Sequence, residues 1–106
     1  MIFFLSVPMK DKSKEEITDI RVRLVRKLQK KIGEYGTIEI RPFRKDWITD
    51  TNIKHKEVYL IGESLEQMAE ADRVVMAKDW DKYSGCIIEN RTAMYYNIPI
   101  IYEEDL

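Results

Sequence analysis

Two rhythms of hydrophobic and polar positions run along this chain: short apolar runs, and longer stretches with an apolar residue every third or fourth position. Residues 2 to 6 form an apolar run without polar alternation, the pattern of a strand buried on both faces. Pro8 closes it, because proline cannot continue a central ladder. Ser13 stands three residues before Glu16, the spacing of a capping box at a helix start. Ile17, Ile20, Leu24, Leu28 and Ile32 then trace one apolar stripe, and Gly33 and Gly36 bracket the stop. Residues 37 to 40 read as a short second strand ended by Pro42. The polar, irregular residues 43 to 56, with Trp47 as their one large apolar side chain, predict a surface loop long enough to carry function.

The second half repeats the scheme. Residues 57 to 70 read as a helix through Tyr59, Leu60, Leu65, Met68 and Ala69, with Gly62 and Ser64 leaving its start open. Residues 73 to 77 are a third strand, and residues 78 to 83 a second loop. Ser84 can cap a last helix reaching about Tyr96, Asn97 suits a left-handed stop, and residues 98 to 102 form the last strand. The order β-α-β-α-β-α-β predicts a small doubly wound α/β sandwich of flavodoxin/Rossmann-like type, a parallel four-stranded sheet with helices on both faces. Its 106 residues suit a single domain without repeats or a linker. In such sheets ligands bind beyond the carboxyl ends of the strands at a topological switch point. That rule selects residues 6 to 11, residues 78 to 83 and the start of the last helix.

Composition narrows the partners. Eighteen basic and 19 acidic residues leave a net charge of −1, so nothing electrostatic favours a nucleic-acid polymer or an anionic membrane. No apolar run is long enough for a membrane span and no secretory leader is evident, so a cytoplasmic setting is expected. Cys86 is the only cysteine, which excludes an intramolecular disulfide. Without a glycine-rich dinucleotide motif, a phosphate-binding P-loop or metal-ligand spacing, no cofactor and no metal are expected.

Glu89 is the sharpest chemical signal. By spacings of three and four it shares a helix face with Gly85, Cys86, Ala93 and Tyr96, a face whose small and apolar members suit packing on the sheet. A carboxylate in such a place needs partners; the plainer alternative is a surface glutamate paired with Arg91 or Lys82. Asp79 and Asp81, at the carboxyl end of the third strand, suit an acid or a sugar-hydroxyl ligand, or else solvated loop charge. Asp72 lies at the other end and is expected to cap. Ser6 and Met9 offer a hydroxyl and backbone N–H groups to a phosphate or sugar oxygen, although ordinary turn chemistry explains them equally well. Trp47, Trp80, Tyr83 and Tyr95 are the candidates for stacking on a base, His55 reads as a surface residue, and Cys86 as a buried structural thiol.

Several of these segments together resemble the nucleoside 2-deoxyribosyltransferases and their small, phage-associated relatives. The resemblance rests on Phe4-Leu5-Ser6-Val7-Pro8-Met9, on Gly62-Glu63-Ser64-Leu65 leading to Ala71-Asp72-Arg73-Val74-Val75, and most specifically on the last third of the chain. There, Asp79-Trp80 is followed by Tyr83-Ser84-Gly85-Cys86-Ile87-Ile88-Glu89 and by Ile98-Pro99-Ile100-Ile101-Tyr102. The resemblance implies N-glycosidic bond transfer or hydrolysis on 2′-deoxynucleosides or their 5′-monophosphates. Glu89 would be the nucleophile, and Asp79 and Tyr83 the groups that steady the leaving base. Ser6, Pro8, Met9, Trp80, Asp81, Ser84 and Gly85 would line the substrate, and a homo-oligomer is the implied assembly. The chain departs from the pattern at Ser64 and Tyr83, where the transferases usually carry acids, and at Phe3 and Phe4, where a tyrosine is common. Those departures favour hydrolysis, a different substrate or loss of activity over standard base exchange. The alternative is a catalytically silent nucleotide-binding or sensor module on the same fold; a structural partner protein without a ligand is a third reading.

Overall fold

The computed structural model of the chain describes residues 1–32, 37–42 and 52–106; Gly33, Gly36 and Trp47, singled out above, lie outside the described residues. The elements in chain order are β1 (Ile2–Ser6), α1 (Lys14–Ile32), β2 (Glu39–Ile40), α2 (Lys56–Ala69), β3 (Arg73–Met76), α3 (Ser84–Tyr95) and β4 (Ile100–Tyr102). Short 3-10 turns follow β3 at Trp80–Lys82 and β4 at Glu103–Asp105. The strands form one parallel sheet in the order β2-β1-β3-β4. From β1 the chain steps outward to β2, then crosses back over β1 to β3. The direction of winding therefore reverses between β1 and β3, the two central strands, as in flavodoxin-like sheets.

Period-two alternation along β1 sends its side chains to two separate cores. Phe3, Leu5 and Val7 join Val75 and Ala77 under Ile17, Leu24 and Leu28 of α1. Phe4 joins Val74 and Met76 against Met68 of α2 and Cys86 and Ala93 of α3. Burying each of the large side chains contributes about 1.5–3 kcal/mol, and Phe3, Ile17, Leu24, Leu28 and Val75 are wholly inaccessible. The expected three-layer α/β sandwich is the observed one, with α1 on one face and α2 and α3 on the other.

Local signals behave as their chemistry requires. The Ser13–Glu16 capping box closes reciprocally: Ser13 N–H donates to Glu16 Oε1 and Glu16 N–H to Ser13 Oγ, both at 3.1 Å. Asn97 ends α3 in a left-handed conformation (φ 59°), while Ile98 N–H returns to the Ala93 carbonyl at 2.9 Å. Asp72 caps a strand end, its Oδ2 accepting Ile2 N–H at 2.7 Å. The start of the second helix, left open by Gly62 and Ser64, is the earlier one: α2 begins at Lys56, one residue before the expected span, and runs through Gly62. Two strands are shorter than expected. β2 keeps only two paired residues, as an edge strand with one neighbour. β4 starts at Ile100, since Ile98 N–H is spent on the end of α3 and Pro99 has none to give. Among the described residues no helix is long and apolar enough to cross a membrane.

Candidate active site

The rule that ligands sit at the switch point singles out the carboxyl end of β1, and there the alternation of the strand becomes decisive. Ser6 is the last residue of β1 and an even-numbered one, so its side chain points to the α2/α3 face. Glu89 reaches the same place from α3, whose buried residues are Cys86, Glu89, Asn90 and Ala93. Ser6 Oγ donates to Glu89 Oε1 at 2.6 Å, a buried bond between residues 83 positions apart. Ser6 is fully inaccessible, and Glu89 keeps 6% of its surface exposed. Neither Arg91 nor Lys82 pairs with it.

Burial governs the electrostatics of this carboxyl. Loss of hydration raises its pKa, hydrogen bonds from the Ser6 and Ser64 hydroxyls pull it down, and the balance lies well above the usual glutamate range, at about 7. A group poised there exchanges its proton at physiological pH, the property that acid–base and nucleophilic sites require. The Cys86 thiol beside it is also buried and is pushed up to about 12, so it stays protonated and inert as a nucleophile.

Glu89 opens onto a cleft at the carboxyl end of β1. Among the described residues the ladder between β1 and β2 ends with the Arg41 N–H to Phe3 carbonyl bond at 2.9 Å. Beyond it Leu5, Val7 and Met9 form the floor, α1 contributes Arg21, and Pro42 stands at the rim. From α2 come Leu60, Glu63, Ser64 and Gln67. Their spacing of three and four residues puts them on one helical stripe. In this state the cleft has about 30 Å³ of room, enough for one or two water molecules.

The residues selected from the sequence divide into two groups. Glu89 and Met9 line the cleft; Ser6 does not line it but is the buried hydrogen-bond partner of Glu89, and Pro8 is buried in the adjoining turn. Asp79, Trp80, Asp81, Tyr83, Ser84 and Gly85 are not among the residues that line it. Asp79 adopts a left-handed conformation (φ 65°) and pairs with Lys82 Nζ at 3.3 Å. Asp81 and Ser84 are exposed. Trp80 packs on Tyr102 with ring centroids 5.8 Å apart, and Lys12 Nζ lies 5.8 Å over the Tyr83 ring, tying together the loops after β1 and β3. α3 begins on Tyr83, with no side-chain cap from Ser84. A Cβ on Gly85 would come within 3.2 Å of Ile61 Cδ1, so this glycine lets α2 and α3 approach closely. Conversely, Arg21, Leu60, Glu63 and Gln67 face the cleft without having been selected. The available signal was Arg21 itself: it continues the Ile17–Leu24–Leu28 stripe by spacings of four, three and four, a cation on the apolar face of α1.

No family model, curated protein or solved structure matches the chain.

Proposed function

We propose that this protein transfers or hydrolyses the N-glycosidic bond of 2′-deoxynucleosides or their 5′-monophosphates, with Glu89 as nucleophile. The observation that carries the reading is the buried carboxyl at the switch point, held by Ser6 at 2.6 Å and facing a cleft. Glu89 in its ionised form attacks C1′; the C1′–N bond breaks and its electron pair leaves with the base. Water or a second base then attacks C1′, releasing the carboxylate, and the proton the nucleophile gives up balances the one the departing base takes. Such two-step displacement follows retaining glycosidase logic, with the carboxylate stabilising an oxocarbenium-like transition state. Ser6 and Ser64 steady the charged form of Glu89. Glu63 is the other carboxyl that lines the cleft, which Asp79 and Tyr83 do not, and it is the group assigned to hand a proton to the departing base, recovering it from the water or base that attacks in the second step.

A second reading is supported by the position of Asp79 and Tyr83 outside the cleft, which leaves the base-handling groups of the resemblance unused: a nucleotide-binding module without turnover. Free-base release from a panel of deoxynucleosides and their monophosphates, with and without an acceptor base, separates the two. Release that disappears in Glu89→Gln supports the enzyme. Ligand-induced stabilisation without release, unchanged in the mutant, supports the binding module. Self-association belongs to the same proposal, because Met94, Tyr95 and Tyr96 of the last helix and its end are 61%, 82% and 76% exposed; light scattering gives the assembly size.

A further inference from the structure

The cleft's chemistry is uneven from one side to the other. Glu89 approaches from the α2/α3 face of the sheet, whereas the wall contributed by α1 presents a guanidinium, Arg21. Five other cations of α1, Lys14, Arg23, Arg26, Lys30 and Lys31, are exposed. Between Ile17 and Leu28, Arg21 is the charged residue that lies in the line of Ile17, Leu24 and Leu28, whose side chains are fully buried. It is half-buried itself, and loss of hydration lowers its pKa. Placing a cation where the helix pattern calls for an aliphatic residue costs solvation free energy, and the hydrogen bonding of its guanidinium offsets part of that cost.

Its orientation is also fixed. Arg21 Nη2 donates to the Arg41 carbonyl at 2.7 Å. Arg41 is in turn held by Gln67, whose Oε1 accepts its Nε at 2.9 Å, and by Glu70 at 2.9 Å. A chain of contacts from α2 through the end of β2 thus sets the guanidinium at the cleft wall. Arginine's planar fork suits phosphate oxygens better than it suits a neutral sugar or base, and such charge-assisted pairs are among the stronger hydrogen bonds.

We infer that Arg21 is the anion anchor of the cleft, and that the ligand is a phosphate monoester whose phosphate lies against α1 while its sugar carbon faces Glu89. The inference deepens the glycosidic reading by choosing monophosphates over free deoxynucleosides, and it assigns the choice to a residue outside the resemblance motifs.

Calorimetric titration with 2-deoxyribose 5-phosphate and with 2-deoxyribose tests it without requiring turnover. The wild type is expected to bind the phosphate ester at least about tenfold more tightly than the free sugar, the size of one charge-assisted contact. Arg21→Gln removes that preference, Arg21→Lys keeps part of it, and Glu89→Gln keeps it whole. Circular-dichroism melts establish that each variant is folded; should Arg21→Gln fail to fold, Arg21→Lys and Arg21→Met take its place, with the same order expected. Equal affinity for the two probes in the wild type, or an undiminished preference in Arg21→Gln, overturns the inference. The two readings fail separately. Base release from deoxynucleosides and monophosphates at equal rates, insensitive to Arg21, leaves the glycosidic reading and removes this one; an Arg21-dependent phosphate preference without base release does the reverse.

Discussion

Glu89 and Glu103 are both buried carboxyls, 6% and 5% exposed, yet their surroundings drive them in opposite directions. At Glu89 burial outweighs two hydroxyl donors, and the pKa rises to about 7. The folded state therefore holds a proton that the unfolded chain, with its glutamate near 4.5, has already lost. Stability contributed by this group is greatest below about 4.5 and declines as the pH climbs toward 7; by pH 8 the penalty is on the order of 3 kcal/mol. Glu89→Gln is accordingly expected to stabilise the protein at pH 8 by about 1–3 kcal/mol in urea unfolding, with the gain shrinking toward pH 5. A loss of stability at pH 8 would mean the carboxylate is better solvated than this geometry allows. In the proposed mechanism the nucleophile must be ionised, so kcat/KM is expected to fall about tenfold per pH unit below 7. A profile that instead declines above 7 would make Glu89 a proton donor. In the sequence, helical spacing alone exposed Glu89 and its inward face. Its partner was not legible, because Ser6 is 83 positions away and the bond exists only once β1 and α3 share a layer. Tyr96, one further step along the same spacing, is 76% exposed, since α3 ends at Tyr95 and the chain turns at Asn97.

At the level of elements, strong local signals fixed what tertiary contacts could not easily override. The capping box, the α1 stripe and the left-handed Asn97 all stand where their chemistry places them. Weak signals needed context to be decided. Gly62 left the helix start open, and α2 runs through it, from Lys56 to Ala69, with open space where a Cβ would stand. Gly62→Ala should therefore raise stability by about 0.5–1 kcal/mol, a helix-propensity gain with no steric cost; thermal unfolding checks it. Gly85 is a different case, because its added Cβ meets Ile61 at 3.2 Å and the propensity gain is offset. Charged residues on α1 read uniformly as a solvated face, so Arg21 escaped notice: an amphipathic count treats one cation in an apolar line as noise. Likewise Asp79 and Tyr83 were legible as loop residues at the right end of the sheet. Their distance from the cleft follows from a 3-10 turn and a left-handed residue that no spacing rule reveals.

Across the whole molecule, one carboxylate joins the first helix to the last strand. Glu103, directly after β4, accepts Arg23 Nε and Nη2 at 2.7 and 2.9 Å, Lys27 Nζ at 2.8 Å and the Lys78 backbone N–H at 2.7 Å. Burial by itself would raise its pKa, but these donors hold it down at about 2. Its stabilising effect is full above about 4.5 and fades as the pH falls toward 2. Glu103→Gln is expected to cost about 1–3 kcal/mol at pH 7, in line with losing hydrogen bonds to charged groups whose other ends are partly solvated. Urea unfolding should show that deficit vanishing near pH 2, the reverse of the trend at Glu89.

The most direct measurement is the mass of the protein quenched during turnover of a deoxynucleoside monophosphate, followed by peptide mapping. A covalent nucleophile predicts one 2-deoxyribosyl 5-phosphate adduct on the α3 peptide that contains Glu89, absent from Glu89→Gln. Base release that proceeds without an adduct at any stage of the time course, or with the adduct on another residue, would contradict the account.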